Sequence, residues 1–384
     1  MSAYKKICWT AIAVTNLLAI IFTSTNTHAE QGITSTSILI GQSAAFTGMP
    51  SEEVKQATAG AKMHFDLINE QGGIFGRKIV LESMDDGFEP KRTLENTYKL
   101  INEKGAFALF LYRGTPTTEA IVPLLNESKI PLIAPVTGAT SLHQPRHRYL
   151  FNVRPKYRDE VSKIVEQLSG MGLKKLAVLA SNDSFGKDAL GGLNAAATAQ
   201  QLSNVTIATY ERNTVDVADA VQKILTAEPA AILMFCTAKP CDAFIRQYRK
   251  AGGFQPLFTL SNVSSPSFIS GLAELSRGLG ITQVFPNPKN TTIPISKEFQ
   301  AALKKNPDLI SSYPTFEGYI AAKVLVEGLR KAGARPTRER LVSALEGFDQ
   351  FDIGGLALHY SPISRSGLDF VELSVIGKNG VVLR

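Results

Sequence analysis

From residue 37 onward, apolar runs of strand length alternate with amphipathic stretches of helix length, with glycine, serine or proline breaks between them. "SILIGQSA" predicts a strand, and "SEEVKQATAGAKMHFDLINEQGG" a helix that starts at Ser51 and stops at Gly72 and Gly73. The strand "KIVLESMDD", a helix from Pro90 to Glu103, the strand "AFALFLY", a helix through "TEAIVPLLNES" and the strand "IPLIAP" complete a first βα series. A second series opens with "YLFNVRP". It continues through the strands "KLAVLAS", "VTIATYE", "AAILMFC" and "PLFTLS", each separated by a helical stretch. Parallel strands need crossover connections, and right-handed crossovers put helices on both faces of a parallel sheet. The pattern therefore predicts an α/β chain with two doubly wound sheets in tandem. Doubly wound sheets take ligands at the C-terminal ends of their strands, so a cleft between the two is the expected site. After about residue 281 the chain turns helical and then closes with short strands around "IGGLALHY" and "LDFVELSVIG". The late helices are expected to cover the first lobe and the last strands to complete the second.

The first 29 residues have a different character. Lys5 and Lys6 precede "ICWTAIAVTNLLAIIFT", and Thr27-His28-Ala29 ends the segment with small residues, the layout of a cleaved secretory signal peptide. The apolar run is short and interrupted by Thr10, Thr15 and Asn16, which suits a signal better than a membrane span, with an uncleaved anchor as the alternative. Cys8 lies before the run and not after it, where a lipoprotein cysteine would stand. Removing residues 1 to 29 takes away Lys5 and Lys6 and no acid, so the formal charge falls from +7 to +5. That basicity is spread along the chain with no cluster of nucleic-acid type. The remaining ~355 residues exceed what one core usually organises, which favours two domains. Cys236 and Cys241, in "FCTAKPCDAF", read as a short-loop disulfide in an exported chain; two free thiols or a soft-metal pair are the alternatives.

Motifs for catalysis and cofactors are missing. No G-x-G-x-x-G follows a strand, and neither a P-loop nor a G-x-S-x-G elbow occurs. His143 and His147 have helical metal spacing, but Pro145 interrupts them and no carboxylate adjoins. Asp85 and Asp86 end a strand, where solvated acids are common. No nucleophile, base and orienter assemble, so neither an enzyme nor a cofactor or metal is expected. What recurs is a strand end with hydroxyls and an aromatic: Ser43, Phe46 and Thr47; Tyr112 through Thr117; Thr137 and Gly138; Ser181 and Phe185; and Thr237. Hydroxyls and free amides bind polar ligand atoms and aromatic walls cover apolar ones, so together these ends predict a solute-binding cleft. In "FALFLYRGTPTTEAIVPLL", Thr115, Thr117 and Thr118 open a helix whose amides suit an anion or a carbonyl oxygen, or simply a capped start.

The blocks "ILIGQSAAFTG", "INEQGGIFGRKIVLESMDDGFEPKRTLENTYKLI", "GTPTTEAIVPLLNESKIPLIAPVTGATSL", "LFNVRP", "SNDSFGKDAL" and "FIRQYRKAGG" together resemble the periplasmic substrate-binding proteins of branched-chain amino-acid-type ABC transporters, the leucine-binding-protein-like type I fold. The resemblance covers nearly all of the chain after residue 29. It implies two doubly wound lobes joined by a three-stranded hinge, with lobe 1 at 30–153 completed by 281–357, and lobe 2 at 154–280 completed by 358–384. It also implies a periplasmic monomer that closes on a small-molecule solute and docks to an inner-membrane ABC permease. The loop after the third strand would hold the ligand carboxylate. Amino-acid binders of the family place a serine there and a threonine at the next strand end; here Gly114 and Gly138 stand at those places, with Thr115 and Thr137 beside them. The family's acid for the ligand ammonium falls near the uncharged Ser261; Phe185 keeps one aromatic wall and Thr237 replaces the other. An ammonium buried without an acid costs several kcal/mol. The expected ligand is therefore an amine-free organic or aromatic acid, with Arg113 pairing its carboxylate. An aliphatic amino acid is the runner-up, and a ligand sensor of the same fold is a further alternative.

Overall fold

The computed structural model describes residues 30–202 and 204–383; the expected signal peptide lies outside the described residues. Five parallel strands form the first sheet: β1 (Ser37–Ala44), β2 (Lys78–Asp85), β3 (Ala108–Phe110), β4 (Leu132–Ile133) and β5 (Leu150–Phe151), in the order β2-β1-β3-β4-β5. The second sheet takes β6 (Leu176–Ser181), β7 (Val205–Tyr210), β8 (Ala231–Phe235), β9 (Leu257–Thr259) and β10 (Gly280–Gln283) as parallel strands. After a small hairpin of β11 (Asp349–Asp352) and β12 (Ala357–His359), the strands β13 (Glu372–Ile376) and β14 (Val382–Leu383) join the second sheet antiparallel beside β10. Both sheets are the α/β arrangement that the alternating pattern predicts.

Side-chain alternation shows how the second sheet is buried on two faces. Leu176, Val178 and Ala180 belong to one core cluster while Ala177 and Leu179 belong to another, as the two-residue period of a strand requires. The first cluster runs on through the first sheet and its helices. Fully burying a leucine or valine contributes about 1.5–3 kcal/mol, so these clusters are the main source of stability.

Three details differ from the sequence reading. The expected helix through "TEAIVPLLNES" is broken into Thr115–Glu119 and Val122–Glu127. Pro123 has no N–H to donate to the Glu119 carbonyl, so one continuous helix cannot form. The expected lobe boundary at residue 280 falls inside β10, which is hydrogen-bonded between β9 and β13; the chain leaves the second sheet only after Gln283. Tyr360, expected with the second lobe, packs its ring edge-on 5.3 Å from Phe151 of β5 and donates its hydroxyl to the Asn152 carbonyl at 2.9 Å.

Late helices cover the first sheet. The helix Tyr313–Ala332 crosses Ser51–Glu70 so closely that a Cβ at Gly60 would stand 1.8 Å from the Thr315 carbonyl oxygen, and one at Gly318 1.8 Å from that of Ala57. Only glycine permits that approach.

The chain passes between the sheets three times: after β5, after β10 and after β12. The first and third passages are stitched together, Asn152 N–H to the Arg365 carbonyl and Leu368 N–H to that of Val153, both at 2.9 Å. Arg154 of the first passage is fully buried, 3.6 Å from Glu160 on the lobe 2 side and 3.7 Å from Glu317 on the lobe 1 side. No helix among the described residues is long and apolar enough to cross a membrane.

Candidate solute cleft between the lobes

At the C-terminal end of β3 the chain bends sharply. Leu111 has φ 54° and Gly114 φ +101°, and a Cβ on Gly114 would come within 2.5 Å of the Phe88 ring. Two of the threonines of this turn serve the turn itself. Thr117 donates its hydroxyl to the carbonyls of Arg113 (2.5 Å) and Gly114 (2.9 Å), and Thr115 shares a 2.8 Å hydrogen bond with Thr137 from the next strand end. The turn thereby presents Arg113 to lobe 2. Its guanidinium Nη2 donates to the Asn262 carbonyl at 2.9 Å, and the residue is buried with no carboxylate in ion-pair range among the described residues.

Lobe 2 supplies the opposite wall from the ends of β6, β7 and β8. Asp183 caps the helix Ser184–Ala199 by accepting from Gly186 N–H at 3.0 Å, while its other oxygen lies 3.3 Å from Arg212 Nε. A Cβ on Gly186 would lie 1.9 Å from the Ser181 carbonyl oxygen, so the first helical turn sits directly on the strand end. Arg212 reaches across to lobe 1, its cation 4.4 Å from the centroid of the Phe88 ring and its Nη2 donating to the Phe88 carbonyl. Burial draws the Arg212 pKa down, with the carboxylates of Asp183 and Glu89 acting the other way. Asn213 donates to Glu89 Oε1 at 2.5 Å, a further bond between the lobes.

The aromatic wall combines Phe88, Tyr157, Phe185 and Tyr210. Tyr157 and Phe185 meet edge-to-face at 4.9 Å. Burial pushes the Tyr157 hydroxyl up, so it stays a neutral donor, with Arg154 acting in the opposite direction. Phe88 is held at φ 68° by Asp86, a buried carboxylate that accepts from Phe88 N–H (2.9 Å), Ser43 Oγ (3.0 Å) and Thr93 Oγ1 (3.1 Å). Asp86 thus shapes a turn. The Cys236–Cys241 disulfide, with Cα atoms 5.6 Å apart, closes the turn after β8 that carries Thr237 to the cleft. Between these walls lies a cavity of about 30 Å³, the space of a water or two, so an organic solute needs the lobes to part.

Of the sequence-derived candidates, Arg113, Gly114, Thr115, Ser181, Phe185 and Thr237 line this cavity. Thr137 stands one layer behind, on the Thr115 hydroxyl. Gly138 leaves room for the Tyr157 backbone, whose nitrogen would lie 2.6 Å from an added Cβ. Phe46 packs with Ala44, Ala45, Val54 and Phe88 at the edge of the site. Tyr112 is corrected: it is fully buried within lobe 1 and its hydroxyl bonds Thr97 at 3.0 Å, because it alternates with Arg113 and turns inward where Arg113 turns out. Ser261 is corrected too. Its N–H donates to Glu160 Oε2 at 2.8 Å and its hydroxyl takes Arg154, so the hinge-side ion network holds it and its neighbour Asn262 lines the cavity. Sequence reasoning missed Phe88, Val136, Tyr157, Asp183, Tyr210, Arg212, Asn213 and Asn262; only Asp183, a helix N-cap just after a strand, carried a readable signal. His143 and His147 turn to separate partners, Ser366 Oγ at 2.7 Å and the Ser141 carbonyl at 2.8 Å, and no group of three metal-ligating residues gathers among the described residues.

Two doubly wound lobes with a cleft at their strand ends are the fold of a type I periplasmic binding protein. The chain belongs to that family: the family model described as "Periplasmic binding protein" matches residues 37–364. It is similar to the Leu/Ile/Val-binding protein BraC3 of Rhizobium johnstonii, 26% identical over 318 residues that cover 80% of this chain and 83% of that one. The crystal structure of a substrate-binding periplasmic protein from Ralstonia solanacearum superposes with a TM-score of 0.84 at 34% identity, over 90% of this chain and 99% of that one. A fatty acid ABC transporter substrate-binding protein from Thermomonospora curvata shares the fold, with a TM-score of 0.83 at 21% identity over 93% of each chain. The family is one of solute-binding proteins and not of enzymes.

Proposed function

We propose that this chain is the periplasmic solute-binding component of an ABC importer of the branched-chain amino-acid type, exported by a signal peptide cleaved after Ala29. It takes a small amine-free organic or aromatic acid between its lobes and passes it to an inner-membrane permease. The observation that carries the ligand class is Arg113, a buried cation at the cleft with a carbonyl for a partner and no carboxylate among the described residues. A buried cation is costly unless an anion compensates it, and a guanidinium fork suits a carboxylate. The aromatic wall supports an acid with an apolar body.

Asp183 is the one acid lining the cavity among the described residues, and Arg212 and the helix cap already engage it. A ligand ammonium would have to draw it away from both. That exchange is the route open to an aliphatic amino acid, the reading that the name of the Rhizobium johnstonii relative favours. The test is a thermal-shift screen of residues 30–384 against amino acids and amine-free acids. A ligand at a hundredfold excess over its Kd stabilises by about 2.7 kcal/mol. The expected result is a shift by amine-free acids only, lost at least tenfold in affinity in Arg113→Ala. A shift by leucine or valine alone would sink the amine-free reading.

A further inference from the structure

Two side-chain amides in the cavity wall have their orientation set by what their nitrogens touch. Asn262 Nδ2 donates to the Cys236 carbonyl at 2.9 Å, and Asn213 Nδ2 donates to a Glu89 carboxylate oxygen at 2.5 Å. Both partners are acceptors, so neither amide can be flipped without setting oxygen against oxygen. That leaves Asn262 Oδ1 and Asn213 Oδ1 as acceptors. Each is buried and takes no hydrogen bond from any described residue, while both residues line the same cavity as Arg113. Asn262 itself is about nine-tenths buried, with 9% of its surface exposed.

A buried acceptor that no protein donor satisfies is costly unless water or a ligand supplies the hydrogen bond, so two at one cleft are available to a solute that brings its own donor. Resting on the acid reading, we propose that the ligand carries a hydroxyl beside its carboxylate: the cleft selects a hydroxy acid, with Arg113 on the carboxylate and the Asn262 amide oxygen accepting from the hydroxyl. A neutral amide oxygen matches a neutral O–H donor. It can also accept from an ammonium, but it leaves that buried charge uncompensated. Asn262 also ties the two halves of this recognition together, because its own carbonyl holds the Arg113 guanidinium. The site is then complementary at both ends of the solute, with a donor fork for the anion and an acceptor for the hydroxyl.

The test uses skeletons matched in all but one group, titrated calorimetrically into residues 30–384: propanoate, lactate and alanine; isocaproate, hydroxyisocaproate and leucine; phenylpropanoate, phenyllactate and phenylalanine. A site built around a substrate hydroxyl rejects the analogue lacking it, here by about 10- to 100-fold. The expected result is that the hydroxy acid of at least one series binds that much more tightly than its unsubstituted acid, and that the gap closes in Asn262→Ala. Equal binding of hydroxy and unsubstituted acids overturns the hydroxyl inference and leaves the acid reading standing. Tighter binding of the amino acid in every series that binds overturns both. The wild-type comparison stands by itself should Asn262→Ala fail to fold.

Discussion

Arg113 and Arg212 face the same cleft in opposite company. Arg212 has Asp183 at 3.3 Å and Glu89 at 4.0 Å, whereas among the described residues Arg113 has the Asn262 carbonyl and no carboxylate. Removing Arg113 therefore deletes the proposed anion site without freeing a buried acid, and Arg113→Ala is expected to lose ligand while its unliganded melting point stays near that of the wild type. The same scale holds a pH effect at two buried histidines. Burial, aided by Lys323 and Arg330, holds His64 down to about 3, and burial with Lys156 and Arg154 does the same for His143, against 6.5 for a free imidazole. Between those values the unfolded chain binds protons that the folded chain refuses. Stability from these residues is therefore complete above pH 6.5 and falls as pH drops toward 3. Both His64 ring nitrogens lack a hydrogen-bond partner among the described residues, and its ring lies edge-on 4.7 Å from Tyr319. In His64→Phe, the fall of Tm with acidification across that interval should be shallower, with His143 left to supply the rest.

At the scale of elements, the junction of Ser51–Glu70 with Tyr313–Ala332 joins helices from the two ends of the first lobe's sequence. Because Gly60 and Gly318 let the backbones touch, a methyl group at either position must push the helices apart. Gly60→Ala should destabilise the chain by about 1–3 kcal/mol, measured by urea unfolding, even though alanine is the better helix former. An unchanged midpoint would mean that the helices slide apart without penalty. Asp183 shows an element end serving two purposes. The cap that starts the helix Ser184–Ala199 also brings a carboxylate to the cleft, which is why the helix begins where the strand ends and not a turn later.

For the whole molecule, closure rests on few contacts. Arg212 on Phe88, Asn213 on Glu89, Arg113 on Asn262, and Ser265 on Glu53 at 2.6 Å all run from one lobe to the other. Arg212 contributes both a hydrogen bond and a cation–ring contact, so Arg212→Ala is expected to move the lobes toward an open arrangement, read as a larger radius of gyration in small-angle scattering. An unchanged radius would assign closure to the remaining contacts and the hinge. At the hinge side the fully buried Arg154, flanked by Glu160 and Glu317, holds the crossing chain against both lobes. Burial pushes the Glu160 carboxyl up, with Arg154, Thr282 and Ser261 drawing it back.

The alternation of apolar runs and amphipathic stretches was enough by itself to specify two doubly wound sheets, since a parallel strand can be followed only by a crossover and the period of each stretch names its element. The hydroxyl-rich strand ends marked where a cleft would lie, and Arg113, Phe185 and Thr237 were legible there because they sit within a few residues of a readable strand. Only the tertiary structure decided which side of each strand faced the cleft: Tyr112 and Arg113 are neighbours, and pairing with β1 and β4 sends one into the core and the other across to lobe 2. Asn262 meets Arg113 across 149 positions of sequence, and Arg212 meets Phe88 across 124. Such contacts depend on how the two lobes are set against each other, and local periodicity carries no information about that placement.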